Sequence, residues 1–284
     1  MIDYDCLMQM HIPDVEQSYT ERDTMLYALA LGYGADPLDE RSLHFCYERR
    51  LRAAPTWPLA LAHPGPWMRD LPTGINYSHV VHGEQHLALH GPIPVSGTVR
   101  NETRVVDIFD QGKNKGAIVV FDRLLRNTSD GTTIATMRQT SFCRADGGFG
   151  GNARPAAAKF ALPETPAHHI ITIATRPDTA LLYRLSADLN PLHADPSVAR
   201  AAGFDRPILH GLATFGITGL ALLMGICNYG ENRIASLLAR FVSPFFPGET
   251  LNFELWQDDG KIVFRARTLE RSVDILRGEA IVLP

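Results

Sequence analysis

Strand-like alternation of apolar and polar residues runs partly through 95–110 and more regularly through 132–144, and 116–125 carries the apolar run Ile118-Val119-Val120-Phe121. Gly112 and Gly116, then Asp130-Gly131, supply turns between these runs. Further strands are predicted at 170–174, 234–242, 250–257, 261–269 and 278–283, with Asp258-Asp259-Gly260 as a hairpin turn. Residues 80–90 carry no long helical stripe. Helical spacing begins at Thr20, a cap with Glu21 and Asp23 in the first turn, and Met25, Leu26, Leu29 and Ala30 form an apolar face. Residues 177–185 repeat the pattern, with Pro177 in the first turn and Ala180, Leu181, Leu182 and Leu185 as the stripe. Asp195-Pro196 opens a third, short helix that Gly203 ends.

Residues 208–229 hold no charge and are long enough to span a bilayer. His210, four glycines and the lack of flanking basic clusters argue instead for a buried helix, expected over 211–227 and wrapped by a sheet. Composition shifts at 145–166, where a glycine cluster, an alanine run, Pro163 and Pro166 read as a linker. The division expected is an N-terminal domain over 1–150, a linker over 151–166 and a C-terminal domain over 167–284. The halves echo each other weakly: Pro94-Val95-Ser96-Gly97-Thr98 answers Pro247-Gly248-Glu249-Thr250, each before a strand. Only the second half has the long apolar helix. The fold class is therefore α+β: two antiparallel sheets each wrapping a helix, the N-terminal central helix degenerate. Residues 52–76, rich in proline, tryptophan and glycine, read either as a loop over a pocket or partner, or as a surface loop with its aromatics tucked into the core.

Chemistry concentrates in Asp188-Leu189-Asn190-Pro191-Leu192-His193 and in His210-Gly211. A residue before proline avoids the helical region, so Asp188, Asn190 and His193 fall on a loop. Asp188 and His193 are proton-transfer groups of different intrinsic pKa, as adding water across a C=C requires. Asn190 can orient the water, and the N–H of Gly211 at a helix N-terminus can stabilise an enolate. The same spacing also suits a plain turn with Asx-type hydrogen bonds. In a regular strand His82, Glu84 and His86 share a face, without a familiar metal spacing. His210 reads as structural, capping or orienting the helix start, and Arg184 as a partner for an acid. The glycines of 147–151 lack the Lys-Ser/Thr of a phosphate loop.

These residues resemble the signature of the R-specific 2-enoyl-CoA hydratases (hydratase 2, the MaoC-like dehydratases) of double-hotdog type. The resemblance runs from Tyr183 to His193, through Gly203-Phe204-Asp205-Arg206-Pro207-Ile208-Leu209-His210-Gly211, to 239–250, and in the first half to His82-Gly83-Glu84-Gln85 and 147–151. It implies a lyase that hydrates trans-2-enoyl-CoA to R-3-hydroxyacyl-CoA by syn addition and reverses as a dehydratase. Asp188 and His193 are its implied catalytic pair, Asn190 holds the water, and Gly211 polarises the thioester carbonyl. His82, Gly83 and Phe241 are implied to line the coenzyme A site. Ala187 stands where the family has Gly, and Gln111 where relatives often place a coenzyme-contacting Lys; Lys113 and Lys115 lie close by as substitutes. Two other readings stay open: a hydratase for a branched, dicarboxylic or carrier-bound acyl group, and a non-catalytic acyl-CoA-binding subunit.

The resemblance needs no metal or redox cofactor, with the coenzyme A thioester as substrate, and family analogy suggests a homodimer through paired sheet edges. A net charge of −4 gives no general attraction to nucleic acid. Cys6, Cys46, Cys143 and Cys227 lie far apart with no Cys-x-x-Cys, as expected of reduced thiols in a cytoplasm. The first residues lack the basic start and apolar run of a signal peptide, and the last are not a Ser-Lys-Leu address.

Overall fold

The computed structural model describes residues 2–155 and 160–284, so residues 156–159 of the predicted linker lie outside the described part. The strands are β1 (Val15–Tyr19), β2 (Val80–Leu89), β3 (Gly97–Asp110), β4 (Ala117–Asn127), β5 (Thr133–Cys143), β6 (His169–Ala174), β7 (Ile234–Phe241), β8 (Thr250–Asp258), β9 (Lys261–Thr268) and β10 (Asp274–Val282). Their order is β1-β3-β4-β5-β2-β7-β10-β9-β8-β6. Five strands come from each half, and the two halves join where β2 pairs antiparallel with β7, Gln85 opposite Ala239. The two half-sheets thus run on as one ten-stranded sheet whose outer strands are β1 and β6. Glu84 fastens the junction: its carboxylate pairs with Arg240 across it and with Arg154 at 2.9 Å.

The second half is the wrapped helix the sequence predicted. Helix Gly211–Leu222 is buried at every residue after Gly211, continues as a single π turn Leu223–Cys227, and packs in one core with Phe253, Phe264 and Leu276. An all-apolar helix is stable only with every side covered. The hairpin β8–β9 turns at Asp259 and Gly260, both at positive φ (39° and 78°), as a two-residue turn of the type that matches strand twist.

The first half solves the same covering problem differently. Its longest helix, Glu21–Ala30, begins with the capping box Thr20/Asp23 and lies against the second half's helix. A methyl at Gly216 would sit 2.7 Å from Leu31 Cδ1 and 3.2 Å from the Tyr27 hydroxyl, so only glycine allows this approach without something shifting. The space over the first sheet is taken by residues 53–62, all buried, with only the short 3-10 turn Trp57–Leu59. The proline- and tryptophan-rich stretch is thus core in this part, not a lid. A buried irregular segment must find partners for its backbone. Side chains of the sheet provide them: Arg123 Nη1 and Nη2 donate to Leu59 O and Leu61 O at 3.0 and 3.1 Å, and Asn101 Nδ2 donates to Ala62 O at 2.9 Å. The Ala62 N–H donates to Gln17 Oε1 at 2.6 Å. The degenerate central helix expected of this half is replaced by a side-chain-braced strap.

The sequence did not predict the short helices Tyr4–Met8, Glu40–Leu43 and Trp67–Asp70 or edge strand β1, among others. No helix among the described residues is long and apolar enough to cross a membrane. None of the four cysteines is in a disulfide.

Candidate functional site

The loop between helices Thr179–Tyr183 and Pro196–Ala201 is a run of side-chain turns. Asp188 Oδ1 accepts the Asn190 N–H at 2.9 Å, Asn190 Oδ1 the Leu192 N–H at 3.0 Å, and Asp195 Oδ1 the Ser197 N–H at 2.7 Å. The Asx-turn reading of the sequence is thus correct as local structure, and it is the means by which the polar residues are aimed. Arg184 Nη2 donates to Leu189 O at 3.0 Å, so among the described residues its partner is a loop carbonyl and not the expected acid. Asn190 spends its side-chain oxygen on the turn, which leaves its NH2 to donate elsewhere.

Pro191 opens a 3-10 turn, Pro191–His193, that carries His193 into the interior. His193 Nδ1 lies 2.8 Å from Ile208 O. A carbonyl only accepts, so Nδ1 carries the proton and Nε2 keeps a free lone pair. Burial, outweighing the Ile208 hydrogen bond and the Asp188 charge, holds His193 below the ordinary imidazole range. Its ring stacks on His210, centroids 3.8 Å apart and planes at 30°. His210 is the backbone N-cap of helix Gly211–Leu222, but its ring makes no cap bond. Instead His210 Nε2 donates to Asp188 O at 3.0 Å, so the ring orients the loop rather than the helix. Burial first, and His193 next, push His210 down to about 2.

Gly211 is the first residue of that helix, where an N–H has no acceptor inside the helix. A methyl at Gly211 would meet the Phe241 ring at 3.4 Å. Phe241 in turn meets His82 edge-on, at 4.9 Å and 65°. His82 faces inward because β2 shifts register between His82 and Glu84. The extra residue is Gly83, where a Cβ would strike the Phe142 ring at 2.3 Å. The face expected to hold His82, Glu84 and His86 together is therefore broken, with Glu84 at the junction and His82 turned toward Phe241. Burial pushes His82 down to about 4, with Asp188 acting in the opposite sense.

Lys113 and Lys115 stand apart, exposed on the β3–β4 hairpin. Asp110 pins this hairpin to the glycine run, accepting from Gly112, Gly148 and Gly150 at 2.8, 2.7 and 2.7 Å. Ala117 beside it pairs with Cys143, which pairs with Val80, so the lysines sit at the end of the sheet that carries His82.

Sequence reasoning passed over His63 and Tyr77. His63 Nδ1 accepts the Gly65 N–H at 3.1 Å. Burial first, then Arg123, with Asp188 opposing, holds it down to about 3. Burial and then Asp188 raise the Tyr77 hydroxyl. The Asp188 charge thus acts on both of these first-half groups, and no spacing in the chain announces either. Among the described residues, Asp188, His193 and His210 also offer one donor each within 4.8 Å, the one set that could close on a cation. His193 Nδ1 and His210 Nε2 are already committed to carbonyls.

Comparison with known protein families matches residues 17–145 to the MFE-2 hydratase 2 N-terminal domain and 159–277 to the MaoC-like domain. The chain is 37% identical to an enoyl-CoA hydratase of Mycobacterium tuberculosis, covering 92% of each chain. It is 32% identical to the peroxisomal enoyl-CoA hydratase 2 of Arabidopsis thaliana, over 96% of this chain and 93% of that one. Among solved structures, a MaoC-like dehydratase from Phytophthora capsici superposes with a TM-score of 0.84 at 31% identity, covering 99% and 98% of the two chains.

Proposed function

This chain belongs to the MaoC-like family in its two-domain form, with an MFE-2 hydratase 2 N-terminal domain, and on that premise we propose that it is a hydro-lyase that adds water to trans-2-enoyl-CoA to give R-3-hydroxyacyl-CoA. The observation that carries the reading is the free lone pair on His193 Nε2, beside Asp188 and near the start of helix Gly211–Leu222.

In the proposed step the thioester carbonyl accepts the Gly211 N–H, which draws electron density from C3. Asp188 and Asn190 hold a water over that carbon. As the water oxygen bonds to C3, one water proton passes to His193 Nε2 and the C2=C3 pair moves toward the carbonyl as an enolate. The imidazolium, facing the Asp188 carboxylate, then gives its proton to C2 on the same face, and the enolate pair forms the new C–H bond. The balance is one water added and no electron gained or lost, so the step calls on no metal or redox cofactor. A binding subunit needs no such pair. His82, Gly83 and Phe241 form the wall beside the carbonyl, and Lys113 and Lys115 meet the coenzyme's phosphates. A homodimer, if formed, uses a face other than β2–β7, which is already paired. Four unpaired cysteines suit a reducing compartment, and we place the enzyme in the cytoplasm.

The test follows loss of the conjugated enoyl absorbance of crotonyl-CoA and a longer enoyl-CoA, with chiral analysis of the product. R product from either supports the proposal. Release of free coenzyme A without hydration would instead mean thioester hydrolysis.

A further inference from the structure

The side-chain turns of the loop fix the backbone at Asn190 and Leu192, but they do not by themselves fix the His193 ring against Asp188. His193 has one hydrogen bond, from Nδ1 to Ile208 O, and a ring held at a single atom can still tilt about that bond. His210 supplies what is missing. It is 2% exposed, and its ring touches both partners in different ways. Its edge reaches the Asp188 backbone, with Nε2 3.0 Å from the carbonyl oxygen. Its face lies against His193, with centroids 3.8 Å apart and planes at 30°. The Tyr183 ring, itself fully buried, packs against His210 at 4.9 Å and so limits its own movement. The next residue in the chain is Gly211, the first of helix Gly211–Leu222.

The tautomer follows from the same contacts. A carbonyl only accepts, so the His210 proton sits on Nε2 and Nδ1 carries a lone pair. That Nδ1 is buried and has no partner. A second proton there would be a buried charge without a counter-charge, so the ring stays neutral while His193 takes up the water proton. We propose that His210 is the positioning residue of this site: its edge sets Asp188 and its face sets His193, which keeps both on one side of the substrate and in register with the Gly211 N–H. This rests on the hydratase reading above and deepens it by naming what holds the proton-transfer pair.

Two substitutions separate the two contacts. His210→Phe keeps a ring face for His193 and loses the bond to Asp188 O. His210→Gln keeps a donor near the place of Nε2 and loses the face. Each lowers kcat by about tenfold, and His210→Ala, which loses both, by about a hundredfold, the scale of a misplaced reacting group. KM stays within about threefold, because no substrate contact is removed. In a His193→Ala background, where the pair is already broken, the Phe and Gln losses shrink to about twofold or less. A loss due to general weakening of the fold would carry through that background undiminished, and this outcome overturns the proposal. So does a kcat near that of the wild type in all three variants. Nitrogen NMR of the wild-type imidazoles decides the matter should the variants fold poorly: His210 is neutral with its proton on Nε2, and a proton on Nδ1 instead overturns the tether to Asp188. Wild-type hydration of crotonyl-CoA and a longer enoyl-CoA is measured in parallel. Hydration that survives loss of His210 removes this inference and leaves the hydratase standing, whereas no wild-type hydration of either substrate removes both.

Discussion

The two halves of this chain build the same five-stranded sheet and cover it in opposite ways. The second half uses helix Gly211–Leu222, which satisfies its own backbone and needs only apolar contact. The first half uses residues 53–62, which satisfy only part of their own backbone and take further partners from Arg123, Asn101 and Gln17 inside the fold. The difference teaches where each half must place its polar groups. A helix leaves an apolar interior with one polar end, and the candidate chemistry sits at that end. A strap leaves polar side chains deep in the sheet, tied to the strap's own backbone.

The largest effect that could break this comparison is catalytic. Asp188→Asn and His193→Ala should each lower kcat by about 10²–10⁴ with the fold retained. His86→Ala, on the first-half strand beyond the bulge, should leave kcat within about twofold, because general acid–base gains come only from groups in reach of the reacting proton. Equal losses from all three would mean that the chemistry is not confined to the second half.

The next effect concerns the strap. Trp57 and Phe215 are 1% and 0% exposed, one in each covering element. If the strap is core, Trp57→Ala and Phe215→Ala should each cost about 3–5 kcal/mol in denaturant unfolding. A Trp57 cost below about 1 kcal/mol would return residues 53–62 to the status of a surface loop.

The smallest effect is on pH dependence. His193, His210, His63 and His82 are all held below the ordinary range, chiefly by burial. A depressed imidazole pKa means that the unfolded chain binds protons first as pH falls, so stability is fully present above about pH 6.5 and is lost below it, toward the folded values. Thermal unfolding should move down steadily between pH 7 and pH 4, and kcat should hold until His193 protonates. A Tm that rises on acidification would contradict the burial assigned to these rings.

The second half was the more legible in the sequence because its signals are local. Apolarity on every side marked the wrapped helix, Asn190-Pro191 marked a loop, and Asp258-Asp259-Gly260 marked the hairpin. The strap gave no such signal: it has no period, and its hydrogen-bond partners lie about 40 to 64 residues away in the chain. The facing of His82 was misread because one inserted residue, Gly83, inverts the alternation that a strand reading assumes. His63 and Arg123 stayed invisible because each is defined by what surrounds it after folding. Arg184 was given an acid because arginine so often has one, whereas the loop offered a carbonyl at Leu189.

The central claim is that one face of the bound enoyl group meets both proton-transfer residues. Hydration of crotonyl-CoA in heavy water, with the product's C2–C3 geometry read by NMR, tests it most directly. A single deuterium at C2, syn to the new hydroxyl, is the predicted result. Anti addition, or deuterium distributed over both C2 positions during a single turnover, would contradict a pair working from one side.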